Sequence, residues 1–167
     1  MGLFNDRQKT KDNQTQVPVW FMRQAGRYHS HYQNIKKGSD FMSMCKDPKM
    51  ACEITMGPIR DFNFDAAILF SDLLFPLEQL GMGLTYNPGP ILKYRLESPS
   101  DLKKLNISSP GRDYYNFQKE ATTLLRQELP KSKSLLGFVG APWTLYTYAV
   151  EGSHAGNLTN SKKGFYD

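Results

Sequence analysis

Three short apolar runs, residues 17–22, 65–69 and 135–139, each end at polar or turn-forming residues, with stretches of helical spacing between them. This alternation constrains the fold more than any other feature, because parallel strands need long crossovers and those crossovers are right-handed. The expectation is an α/β chain of about three strand–helix units. Asp47-Pro48 offers a helix start, with a carboxylate at the cap and proline at the first helical position. Met50, Ile54 and Ile59 follow at helical spacing, and Pro58 is expected to bend or end that helix. Residues 83–86 and 91–94 flank Asn87-Pro88-Gly89-Pro90 and read as a hairpin outside the main scaffold. Ser100-Asp101 can cap a short helix. Asp113 opens a longer one, in which Tyr114, Phe117, Ala121, Leu124, Leu125 and Leu129 share a face until Pro130 stops it.

A chain of 167 residues, 40% of them apolar, is long enough for one core without disulfide or metal staples. Its net charge of +5 favours anionic partners. The basic residues are scattered, so solvated surface accounts for pairs such as Lys36-Lys37 and Lys103-Lys104 better than a nucleic-acid footprint does. Residues 1–16 form a polar tail with no signal-peptide core, and no apolar run approaches the ~20 residues that span a bilayer. The expected setting is therefore soluble and cytoplasmic, with the triplets beginning at Asn106 and Asn157 coincidental to glycosylation. Cys45 and Cys52 have neither zinc-ribbon nor redox spacing and read as reduced, partly buried thiols in a helix. His29 and His31 could offer two imidazoles to a metal, but no acidic or cysteine partner lies nearby in sequence. No metal or nucleotide cofactor is expected: the chain lacks a phosphate-binding glycine loop, a serine-hydrolase elbow and a zinc-protease motif.

Chemistry in parallel α/β folds collects at the carboxyl ends of the strands. Arg23 and Arg27 follow the first run, Asp72 the second, and Gly140 and Tyr148 the third. Two arginines four apart suit carboxylate recognition, each presenting a fixed charge and a planar fork of donors, or else they form structural ion pairs with helix carboxylates. Gly26 lets their loop turn tightly. Asp72 is either a helix cap or a carboxylate at the edge of an apolar pocket, where it could stabilise positive charge formed in a reaction. Trp143, Tyr146 and Tyr148 could wall a pocket for a flat ligand or simply belong to the core.

The segment Pro18-Val19-Trp20-Phe21-Met22-Arg23-Gln24-Ala25-Gly26-Arg27-Tyr28 closely resembles the N-terminal signature of the uroporphyrinogen decarboxylase family. Asp65-Ala66-Ala67-Ile68-Leu69-Phe70-Ser71-Asp72-Leu73-Leu74 resembles its second block, and residues 137–152, including Gly140-Ala141-Pro142-Trp143, its third. The likeness runs from Val17 to Gly152 in order and at family-like spacing. It implies that residues 17–167 are the N-terminal part of a (β/α)8 TIM barrel, with the barrel incomplete. It also implies decarboxylation of the four acetate side chains of uroporphyrinogen to give coproporphyrinogen in haem biosynthesis, without metal or organic cofactor.

By that resemblance Arg23 and Arg27 would grip substrate carboxylates, with Arg23 assisting decarboxylation or protonation. Gln24, Ala25 and Gly26 would line the pocket, and Tyr148 would touch a substrate side chain. Asp72 would accept hydrogen bonds from the pyrrole N–H groups and stabilise the protonated pyrrole. The expected partner is a tetrapyrrole, with a homodimer at full length. Two departures stand out: His29-Ser30-His31 replaces the family's usual Leu-Pro-Glu, and Lys36 stands where arginine is common. The serine and histidine that complete the family's site belong to a C-terminal half, so this chain alone is expected to be inactive. Two alternatives remain, a related methyl-transferring barrel with a metal site and a non-catalytic fragment that pairs with a C-terminal half.

Overall fold

The computed structural model describes residues 17–107 and 111–166. The tail expected at residues 1–16 and the end of the Asn106 triplet lie outside them. In chain order the elements begin with helices α1 (Ser30–Lys36), α2 (Phe41–Lys46) and α3 (Pro48–Phe62), strand β1 (Ala66–Ile68) and helix α4 (Phe75–Gln79). Strands β2 (Leu84–Tyr86) and β3 (Pro90–Leu92), a 3-10 helix (Pro99–Lys104) and a 3-10 turn (Asp113–Tyr115) follow. Helix α5 (Asn116–Glu128), strand β4 (Ser134–Leu136) and helices α6 (Pro142–Glu151) and α7 (Thr159–Lys163) complete the order. They fall into two compact units. One holds the described residues as far as Ser71 together with Tyr115–Phe138, and the other holds those of Asp72–Tyr114 and from Val139 onward.

The first unit is built on β1 and β4, which pair in parallel with Ala66 opposite Ser134 and Ile68 opposite Leu136. Two of the three expected strands are therefore present, and α5 precedes β4 in the crossover between them. Cys52, Met56 and Ile59 of α3 form one core with Ala67 of β1 and with Leu125 and Leu129 of the α5 face. Full burial of each larger apolar side chain there stabilises the unit by about 1.5–3 kcal/mol. A second cluster joins Tyr32 of α1, Met44 of α2 and Ile54 of α3, with Phe41 and Phe70 against it. Helix α3 starts as its sequence predicts: Asp47 Oδ1 accepts from Lys49 N at 2.8 Å and Met50 N at 2.9 Å, with Pro48 next. It does not end at Pro58 but continues to Phe62, where Asn63 closes it in the left-handed conformation at φ 54°. Ile54 through Ile59 are all buried, so tertiary packing carries the helix past the one backbone bond proline removes.

The first apolar run forms no strand. Val19 N bonds Asp65 Oδ2 at 2.7 Å and Asp65 N bonds Val19 O at 2.9 Å, placing the run beside the start of β1 without extending a ladder. Pro18 has no N–H to contribute, and the carbonyl of Ala66 is taken by the Gln24 side chain. Val17 and Met22 are 71% and 80% exposed, so the run lacks the burial its apolar pattern suggested. Nor do the two cysteines share a helix: Cys45 lies on α2 and Cys52 on α3, both buried and neither in a disulfide.

In the second unit the expected hairpin is present, with β2 and β3 antiparallel, Leu84 opposite Leu92 and Tyr86 opposite Pro90. Phe75 and Leu77 of α4 pack into this unit's core beside Leu74, Met82 and Leu84, all buried. The chain after β3 is tied to α6 by Leu96 N to Ala149 O at 2.8 Å. The short helix expected near Ser100 starts earlier, at Ser98, because Asp101 sits at its third position and reaches back to Ser98 N at 2.9 Å and Glu97 N at 2.8 Å. The longer helix expected from Asp113 begins as the 3-10 turn and becomes α-helical only at Asn116. Neither two-stranded sheet is closed. Among the described residues no helix is long and apolar enough to cross a membrane.

Candidate functional site

Two consecutive turns shape the loop after residue 21: Gln24 N bonds Phe21 O at 3.1 Å, and His29 N bonds Gly26 O at 3.0 Å. Gln24 is the anchor. Its side chain, only 3% exposed, donates to Ala66 O at 2.9 Å and accepts from Phe21 N at 3.2 Å. The Tyr28 hydroxyl donates to the Gln24 carbonyl. At the far end His29 is buried with Nε2 2.6 Å from Asp61 Oδ2 of α3. Gly26 fits because a Cβ there would stand 3.2 Å from the Arg23 carbonyl.

With Gln24 pinned beneath, Arg23 and Arg27 are both exposed, and among the described residues neither guanidinium is paired with a carboxylate. The ion-pair alternative for these arginines therefore finds no support within the described residues. Arg23, Gln24 and Ala25 line a cleft of about 130 Å³ with residues 68–71 at the carboxyl end of β1 and Phe138 beyond β4. That volume suits a carboxylate arm and falls well below the roughly 300–1,000 Å³ of a pocket enclosing a whole small molecule. Its wall is held from outside by Gln118 Nε2, which donates to Ser71 Oγ at 2.7 Å, and by Thr55 Oγ1, which accepts from Phe70 N at 2.8 Å. Arg27 is not among the lining residues. Its charge acts on buried Tyr32, whose phenol burial and nearby Cys45 push up while Arg27 draws it down.

Asp72 and Tyr148 belong to the second unit. Asp72 Oδ1 accepts from Leu74 N at 2.7 Å, just ahead of α4. This closes a local turn rather than capping α4, whose cap is Leu74 without a side-chain bond, and it leaves Oδ2 without a donor among the described residues. Tyr148 is buried on α6, with its hydroxyl on His154 Nδ1. Burial first, and the charge of Asp72 second, raise its phenol pKa. Trp143 and Tyr146 stand with Phe165 in a separate aromatic group, ring centroids 5.2–6.2 Å apart.

The histidine pair does have carboxylate partners, but they come from α3 and are separate: Asp61 for His29 and Glu53 for His31 at 3.1 Å. Arg60 takes Glu53 at 2.6 Å and Glu128 at 3.2 Å, and its hydrogen bonds hold the Glu53 carboxyl below the ordinary range. Among the described residues no group of three or more metal-type side chains converges. Ser71, Gln118, Phe138 and His154 went unremarked as site residues in the sequence. Only Ser71 carried a signal, as half of the polar pair that closes the second run.

The family model described as "Uroporphyrinogen decarboxylase (URO-D)" matches residues 7–167. A uroporphyrinogen decarboxylase of Carboxydothermus hydrogenoformans is 40% identical over 155 residues, covering 92% of this chain and 44% of that protein. Proteins of the same name from Geobacter sulfurreducens and Pseudomonas putida strain W619 are 41% and 42% identical, each covering 90% of this chain and 44% and 43% of theirs. The chain thus spans less than half the length of these relatives.

Proposed function

The chain belongs to the uroporphyrinogen decarboxylase family, and on that premise we propose that it forms the N-terminal part of an enzyme converting uroporphyrinogen III to coproporphyrinogen III. The observation that carries the proposal is the loop of residues 22–28. A buried glutamine fixes its backbone to β1 while Arg23, unpaired among the described residues, lines a cleft sized for a carboxylate arm. Arg23 and Arg27 bind substrate carboxylates in this reading, and Gln24, Ala25 and Gly26 shape the pocket.

Loss of carbon dioxide from an acetate arm leaves an electron pair that needs a sink, and a protonated pyrrole ring provides one. Asp72 stabilises that cation and accepts from the pyrrole N–H groups. Its carboxylate has one oxygen fixed by Leu74 N and one oxygen open. Fixed charge costs no reorganisation as the reaction proceeds. Tyr148 meets a substrate side chain. The enzyme is a cytoplasmic homodimer at the length of its relatives.

The direct test is binding of the octacarboxylate uroporphyrin to the isolated chain, followed by fluorescence, with Arg23→Ala alongside. A charge-assisted pair is worth about 1.5–3 kcal/mol, so the substitution should weaken binding at least about tenfold. No binding, or binding indifferent to Arg23→Ala, overturns the reading.

A further inference from the structure

His154 lies two residues beyond Gly152, which ends α6 in the left-handed conformation at φ 75°. A Cβ at Gly152 would also come 2.6 Å from Arg95 Nε, which the flexible arginine can relieve, so it is the left-handed turn that requires glycine. The turn sets the His154 ring 5.2 Å from the Tyr148 ring at 46°, with Nδ1 2.5 Å from the phenol oxygen. Tyr148 is 8% exposed, whereas His154 is exposed.

An imidazole so placed has two ways to make this bond. With its single proton on Nε2 it accepts the phenol O–H at Nδ1; with a proton on Nδ1, as always in the cation, it donates to the phenol oxygen. We propose that His154 is a positioning residue that sets the polarity of the Tyr148 hydroxyl toward a carboxylate-bearing substrate arm. With His154 neutral and its proton on Nε2, Tyr148 offers that arm only acceptor lone pairs. With His154 protonated, the phenol O–H is released to donate to the carboxylate, the favourable pairing. The inference rests on the reading of Tyr148 as a substrate contact. Because burial and Asp72 raise the phenol pKa, the tyrosine keeps its proton in both states and only the bond's direction changes.

The other charged groups on elements packed near α6 are Glu78 on α4, Arg95 beside Gly152, and Lys162 and Lys163 on α7. Glu78 accepts from the Tyr114 hydroxyl. On α6 itself, Glu151 accepts from Ser161 N and Asn160 Nδ2. After burial, the charge that raises the Tyr148 phenol pKa is that of Asp72.

The test uses the whole chain with tyrosine labelled at Cζ with carbon-13, the Tyr148 resonance being identified by its loss in Tyr148→Phe. The resonance should move with one inflection as pH is varied, because the bond at Nδ1 reverses direction. In His154→Gln, whose amide keeps a hydrogen-bonding group there, the inflection should vanish. An absent inflection in the natural chain, or one that persists in His154→Gln, overturns the proposal. A second arm follows uroporphyrin affinity over the same range of pH. Affinity should fall several-fold more steeply with rising pH in the natural chain than in His154→Gln, and parallel profiles overturn the positioning role. If uroporphyrin binds neither protein, the functional reading falls by itself, since the resonance reports the Tyr148–His154 coupling without ligand.

Discussion

The residue on which the loop of arginines depends is uncharged. Gln24 satisfies a strand carbonyl and a loop amide at once from a buried position. Its replacement by alanine leaves the Ala66 carbonyl without that donor, and an unmet buried polar group costs about 1–3 kcal/mol. Gln24→Ala should therefore lower unfolding stability by that amount in a denaturant titration and weaken uroporphyrin binding as well, whereas Arg23→Ala should weaken binding with stability unchanged. The charge and spacing of the arginines fit carboxylate recognition and structural ion pairs alike in the sequence, and only the structure shows both exposed with no carboxylate partner among the described residues. Gln24 was legible only through the family resemblance, since its structural role lies in a partner 42 positions away. A second residue prediction concerns Cys52, whose thiol pKa is pushed up to about 11 by burial and then by Glu128. A folded pKa above the ordinary ~8.5 means that the thiolate is disfavoured in the folded state. Its contribution to stability is whole below about pH 8.5 and is lost as pH rises through about 11. Iodoacetamide at pH 8 should modify Cys52 far more slowly in the folded chain than in urea.

Among the elements, α3 supports both core clusters and supplies the carboxylate that fixes His29. Its start is a single aspartate, so Asp47→Ala should cost about 1 kcal/mol through loss of the cap, read as a lower midpoint in urea with unchanged slope. Asp47→Ser should recover most of that loss. The elements that the sequence predicted well are those whose signals are local: the Asp47-Pro48 start, the hairpin about Asn87-Pro88-Gly89-Pro90, and the α5 face. Those it missed depend on partners remote in sequence. Residues 17–22 have the composition of a buried strand, yet a strand exists only where a ladder is made, and beside β1 the available groups go to Asp65 and Gln24. Pro58 does not end α3 for the same reason, because a breaker's effect depends on the packing of its flanks. Asp72 could be read as a cap or as a site carboxylate, and its bond to Leu74 N closes a turn ahead of α4 without capping it, since that helix starts at Phe75 with Leu74 at its cap.

For the whole molecule, the governing fact is that the curated relatives are more than twice as long as the part this chain matches. Parallel sheets are normally covered on both faces, yet in the first unit β1 and β4 form a sheet of two strands. Val17 and Met22 are exposed there, and in the second unit Val139 is 86% exposed. Apolar groups left in water in this way favour association. The prediction is that the chain by itself associates in a concentration-dependent way in sedimentation and forms no coproporphyrinogen from uroporphyrinogen under anaerobic conditions. Adding the part of the Geobacter sulfurreducens relative that lies beyond its matched region should suppress the association and restore product, separated by the number of carboxyl groups lost. Asp72→Ala in this chain should abolish the restored activity while leaving the suppression of association intact. That split follows from the chemistry: covering apolar surface needs only shape and burial, whereas decarboxylation needs a fixed negative charge beside the protonated ring. Product from the unaided chain would overturn the expectation that catalysis needs the remainder of the longer relatives. Restored activity that survives Asp72→Ala would move the charge-stabilising role to another carboxylate.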